Sequence, residues 1–83
     1  MPHPVVNEDW EDYDNRKIRD GRDRSKFSCD EVWEVNYLIG KLKRHFPYKT
    51  ENAIREAITD CCEMILAPRP REEFVECVIS RLK

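Results

Sequence analysis

From Val32 onward the apolar residues return every three or four positions. Val32, Val35, Ile39, Leu42 and Phe46 step 3, 4, 3, 4, the spacing of one face of an α-helix. The stretch "SCDE" before them reads as a capping box: the Ser28 hydroxyl would accept from the Glu31 amide, and Glu31 would reach back to Ser28. The helix should end near His45, because Phe46 precedes Pro47 and is pushed out of the helical region. Thr50 is the next N-cap candidate. After it Ile54, Ala57, Ile58, Cys61 and Ile65 form a second stripe, which "APRPR" breaks at Pro68 and Pro70. A third helix is predicted from about Arg71, with Phe74, Val75, Val78 and Leu82 on one face. Nothing alternates with the period of a strand.

Three stripes facing inward satisfy one another, so residues 28–83 are expected to form an all-α domain, a small three-helix bundle. The expected core is Val32, Val35, Ile39, Leu42, Phe46, Ile54, Ala57, Ile58, Cys61, Ile65, Phe74, Val78 and Leu82. It is small, and a dimer interface, a bound partner or the N-terminal segment packing over it would add to it.

Residues 1–27 differ. Acidic "NEDWEDYD" is followed by basic "RKIRDGRDRSK", and large aliphatics are sparse: Val5, Val6 and Ile18. A charged, largely flexible segment is the expectation. The competing possibility is a short helix from about Glu8 to Asp20, with Asn7 as its cap and Gly21 as its stop. Its acids would meet the positive helix end and its bases the negative one.

A second feature of the first helix concerns function. At about 100° per residue, Trp33 and Tyr37 point nearly opposite the core stripe, with Gly40 and Arg44 along their row. Gly40 costs ~1 kcal/mol relative to alanine inside a helix, which a close backbone approach would justify. The chain's own Trp10, Tyr13, Ile18 or Phe27 covers these aromatics, a partner does, or they are simply exposed. Aromatic patches with a nearby arginine are common interface anchors. The preferred expectation is therefore a non-catalytic protein-interaction module, a homodimer being one form of it, contacting its partner through Trp33, Tyr37 and Arg44.

Composition narrows the alternatives. The 83 residues allow one small domain; 39% are charged, with a net charge of −2, and this balance counts mildly against a general DNA binder. The alternative function is nonetheless a nucleic-acid accessory role for the basic segment Arg16, Lys17, Arg19, Arg22, Arg24 and Lys26, although Asp20 and Asp23 interrupt it. A second basic group, Lys41, Lys43, Arg44, His45 and Lys49, lies where a helix C-terminus favours bases anyway. No apolar run approaches the ~20 residues of a membrane helix, and the first residues lack a signal-peptide pattern; a cytoplasmic protein without a membrane partner is expected.

Four cysteines, at 29, 61, 62 and 77, show no metal or redox spacing, so free thiols are expected. Cys29, at the first position inside a helix, is the best reactive-thiol candidate. The two histidines, His3 and His45, are not near it in sequence. Cys61 falls on a core stripe, Cys62 at an edge and Cys77 on an exposed face. A zinc site from Cys29, Cys61, Cys62 and His45 would need ligands from separate elements and is not expected. Phosphate-binding glycine loops and nucleophile–base patterns are absent, so neither an enzyme nor a cofactor is expected.

The stretch "DGRDRSKFSCDEVWEVNYLIGKL" resembles a family of very short bacterial proteins known only as a domain of unknown function. In that family a D-R-x-x-apolar segment leads through a polar cap into a helix bearing E-V-x-Y-W. Asp23, Arg24 and Phe27 match the first part and Glu34, Val35 and Tyr37 the second; "AIREAI", ending at Ile58, loosely matches an L-x-x-A-(V/I) pattern in the next helix. Leu38 stands where that family carries tryptophan. The resemblance implies a compact helical protein and no activity.

Overall fold

A computed structural model describes residues 10–83. Within them lie four helices, α1 (Glu11–Arg19), α2 (Val32–His45), α3 (Glu51–Met64) and α4 (Arg71–Leu82), with two two-residue strands, β1 (Lys26–Phe27) and β2 (Arg69–Pro70). The fold is an all-α bundle, and the three helices expected from the stripes are joined by a fourth at the front. Among the described residues, no helix is long and apolar enough to cross a membrane.

The charge pattern of α1 is the expected one: Glu11, Asp12 and Asp14 in the first turn, Arg16, Lys17 and Arg19 in the last. The Gly21 amide donates to the Ile18 carbonyl and the Arg22 amide to that of Lys17, and Gly21 takes a φ of 72°. That is a Schellman stop, and it needs a residue free to enter the left-handed region. The expected cap Asn7 and Glu8, the expected start, lie outside the described residues. Nine residues of helix are too few to persist in water, so α1 depends on what it packs against. Trp10, Tyr13 and Lys17 are buried, so α1 is part of the core instead of a flexible approach to it.

After α1 the chain becomes extended. β1 pairs antiparallel with β2, Lys26 opposite Pro70 and Phe27 opposite Arg69. Proline lacks an amide, but the Arg71 amide donates to the Ser25 carbonyl at 2.8 Å and continues the pairing. Phe27 enters the core and stacks on Phe74 of α4, with ring centroids 4.5 Å apart.

The next helix starts later than the sequence predicts. α2 begins at Val32 with Glu31 as N-cap, and the Ser28–Glu31 capping box does not form. The Ser28 amide instead donates to Glu34 Oε1 at 3.0 Å, and the Glu31 carboxylate pairs with Arg22. The chain is still leaving the β1 strand at Ser28, so the first helical turn comes three residues later. Val32, expected in the core, is 72% exposed. The buried residues of α2 are Glu34, Leu38, Ile39, Lys41 and Leu42, an arc centred on Leu38. On a helical wheel that centre lies about 80° from the centre of the predicted stripe. The displacement is toward the aromatic row, because α1 covers that side while α3 covers the other. Val35 and Ile65, also expected inside, are half-buried against the core.

The later helices follow their stripes. Thr50 caps α3, its hydroxyl accepting from the Ala53 amide at 3.0 Å. Ile54, Ala57, Ile58 and Cys61 are buried on α3; Phe74, Val75, Val78, Ile79 and Leu82 are buried on α4. A disulfide joins Cys29, just before α2, to Cys62 near the end of α3.

That bridge closes a loop spanning 33 residues. By the chain-entropy relation, removing it frees the unfolded chain by about 3–4 kcal/mol. The double variant Cys29→Ser/Cys62→Ser is expected to lose stability of that order in urea unfolding. A loss below about 1 kcal/mol would show that the bridge adds little to what packing already holds.

Candidate functional site

The candidate site grows from the second face of α2, and most of that face is occupied by α1. Trp10 meets Tyr13 edge-on at 5.2 Å and Tyr37 at 5.5 Å; Tyr13 lies 5.3 Å from Trp33 and 5.6 Å from Tyr37. Of the covering residues considered from sequence, Trp10 and Tyr13 serve. Ile18 is exposed, and Phe27 goes to Phe74. Cations frame the four rings. The Arg16 guanidinium lies 4.4 Å from the centre of Trp33. The Lys41 ammonium is 5.2 Å from both Trp10 and Tyr37, and Arg71 stands 4.7 Å from Trp10. Arg71 also binds Asp14 at 2.7 Å, tying α4 to α1.

Beneath the rings sits a buried polar cluster. Glu34 has no exposed surface. Its Oε1 accepts from the Tyr13 hydroxyl at 2.6 Å and from the Ser28 amide at 3.0 Å; its Oε2 accepts from the Lys17 ammonium at 2.9 Å. Lys17 also donates to the Lys26 carbonyl at 3.0 Å. Buried side-chain polar atoms in the described residues all have partners. Lys17 gives two of its protons to this cluster, Tyr13 gives its hydroxyl proton, and the carboxylate has no exposed surface. The arrangement therefore holds α1, β1 and α2 together.

The predicted contact residues separate accordingly. Trp33 and Tyr37 are half-buried under α1, with an outer edge left to solvent, while Arg44 is exposed. Arg44 shares their row but lies about 16 Å from Trp33 along the helix axis. The three make a stripe and not a pocket. Gly40 is exposed on the same side, beside a groove lined by Asn36, Ile39, Lys43, Glu51 and Arg55. Among the described residues, a Cβ built there would meet nothing within 4 Å, so none of them makes a close approach to its backbone.

The basic segment is dispersed. Lys17 is internal, Arg16 lies on Trp33, Arg22 pairs with Glu31, and Arg19 stands 3.7 Å from Asp20. Arg24 is exposed and Lys26 half-buried. Among the cysteines, the free-thiol expectation fails for Cys29 and Cys62, which are bonded to each other, and Cys29 is therefore not a reactive thiol. Cys61 is buried as expected. Cys77 is half-buried, not exposed, because it packs against Cys61. Among the described residues, no three metal-ligating side chains gather.

Sequence reasoning missed the Tyr13–Lys17–Glu34 cluster. Its trace was present: Tyr13 and Lys17 are four apart on one helix, and Glu34 lies between the aromatic row and the aliphatic one, an unfavourable place for a solvated carboxylate.

Two outcomes follow from this cluster. Breaking a buried ion pair from one side costs about 3–5 kcal/mol, so Lys17→Met is expected to remove much of the stability of so small a domain, as urea unfolding would show. A cost under about 1 kcal/mol would mean that the pair is dispensable. Burial foremost, and then the hydrogen bond to Glu34, push the Tyr13 phenol above its ordinary value. A raised native pKa means that stability is fully present below about pH 10, the unfolded value, and is lost as pH climbs beyond it. Tyr13→Phe removes that proton from the balance. Its stability should fall less steeply than wild type above about pH 10, by about 1.4 kcal/mol per pH unit.

No family model, no curated protein and no solved structure matches the chain, so its function is read from its own geometry.

Proposed function

We propose that the protein is a small non-catalytic interaction module whose partner is another protein, a second copy of itself included. The contact surface is composite: the outer edges of Trp33 and Tyr37 on α2, Arg16 brought onto Trp33 by α1, and Arg44 further along the row. The observation that carries this reading is Gly40. It sits exposed between Tyr37 and Arg44, costs ~1 kcal/mol inside a helix, and meets no atom of the described residues that would require it. A partner backbone drawn close to α2 gives the missing side chain a use. Arginine beside half-buried aromatics is the composition of an interface anchor.

Nucleic acid remains the weaker alternative. Phosphate contacts need free cations on one face, and Lys17 is consumed inside the protein while Arg22 is held by Glu31. As to compartment, the Cys29–Cys62 bridge fits an oxidising environment better than the reducing cytoplasm expected from free thiols.

Gly40 gives a test with opposite signs. Gly40→Ala should stabilise the isolated protein by ~1 kcal/mol, yet weaken its complex or its dimer. Arg44→Glu should leave stability almost unchanged and reduce photo-crosslinking from position 36 by about tenfold, the effect of a contact of ~1.4 kcal/mol. The proposal fails if both folded variants crosslink and self-associate as wild type does in sedimentation equilibrium.

A further inference from the structure

Adjacent cysteines on α3 face different neighbours. Cys62 is bonded to Cys29, while Cys61 turns toward α4. There its Sγ lies 2.7 Å from Sγ of Cys77, against about 2.05 Å for a formed bond. Both thiols are free. We propose that Cys61 and Cys77 are a second disulfide site, closed reversibly by a low-molecular-weight disulfide of the glutathione type.

The two sulfurs differ in access, and this sets the order of events. Cys61 has no exposed surface, whereas Cys77 is half-buried at the edge of the α3–α4 contact. Burial and the neighbouring Cys77 sulfur push the Cys61 thiol up to about 12, so it is a poor first nucleophile. Arg81, one turn beyond Cys77, opposes that shift. It lies 3.6 Å from Asp60 and 3.0 Å from the Met64 sulfur, and it keeps a positive charge beside the pair. Cys77 gives up its proton to solvent and attacks the reagent RSSR; an S–S bond to Cys77 forms, the R–S–S–R bond breaks, and RS⁻ leaves. Cys61, losing its proton in turn, attacks the Cys77 sulfur and expels the second RS⁻. The balance is two thiols plus RSSR giving one protein disulfide plus two RSH, with the protein oxidised and the reagent reduced. The short sulfur–sulfur distance favours the second step over a lasting mixed disulfide.

Closure would complete a covalent path across the bundle, from the segment before α2 through α3 to α4. It is independent of the contact surface proposed above and survives that proposal's failure.

Intact protein is incubated with oxidised glutathione, quenched with acid, alkylated under denaturing conditions and weighed. The wild type should lose two hydrogen atoms in mass and accept no alkyl group. Trypsin cuts between the cysteines, so residues 27–41, 56–71 and 72–81 should then travel as one disulfide-linked species. The variant Cys29→Ser/Cys62→Ser should still link 56–71 to 72–81, which identifies Cys61 as the partner. Cys77→Ser, a conservative change at a half-buried site, should leave one alkylatable thiol. Two alkyl groups on treated wild type, a persistent glutathione adduct on Cys77, or a link that vanishes with Cys62 would each overturn the proposal.

Discussion

A carboxylate with no exposed surface is tolerable only when it is fully partnered, and Glu34 is the constraint on which this bundle is built. Its three donors come from two places in the chain: Tyr13 and Lys17 on α1, and the Ser28 backbone beyond β1. Satisfying it requires α1 to lie across α2. It also fixes the rotation of α1, since Tyr13 and Lys17 must both point inward. The aromatic layer then follows. Once Tyr13 is in place, Trp10 packs against it and Tyr37, and Arg71 reaches from α4 to Asp14. A nine-residue helix that would not hold its shape alone becomes part of the domain through this one cluster.

The same constraint explains which parts of the fold were legible. α3 and α4 each bury a face made of apolar residues alone, so the period of Ile54, Ala57, Ile58 and Cys61, or of Phe74, Val78 and Leu82, reports burial directly. α2 is buried on two sides, by α3 and by α1. Its most buried arc includes Glu34 and Lys41, residues that a hydrophobic pattern scores as solvent-facing. Reading only the aliphatics turned the inferred face away from α1 and placed Val32 inside. The capping box at Ser28 failed for a related reason. A local hydrogen-bond motif competed with a distant carboxylate, and the Ser28 amide went to Glu34. The aromatic row itself was legible, and so was the possibility that Trp10 and Tyr13 would cover it.

The cysteines were misread because spacing along the chain says little about pairing between helices. Adjacent residues on a helix diverge by about 100°. Cys61 and Cys62 therefore serve two different neighbours, α4 on one side and the segment before α2 on the other. Counting intervals finds motifs in which one loop supplies both sulfurs. It is blind to pairs separated by 33 or 16 residues that meet only after the helices have packed.

Docking of α1 also changes what a partner would encounter. An uncovered Trp33–Tyr37 face would be a broad apolar patch and an aggregation hazard in its own right. With α1 in place, the rings are reduced to edges framed by Arg16, and the exposed row continues through Gly40 to Arg44. Such a surface presents modest apolar area and fixed positive charge, which suits a selective contact better than a purely hydrophobic one. The proposed contact surface thus inherits its shape from the Glu34 cluster beneath it: loosening Lys17 or Tyr13 would free α1, and with α1 would go the position of Arg16. On that proposal stability and recognition are coupled through the same buried carboxylate, although no atom of that carboxylate reaches the surface.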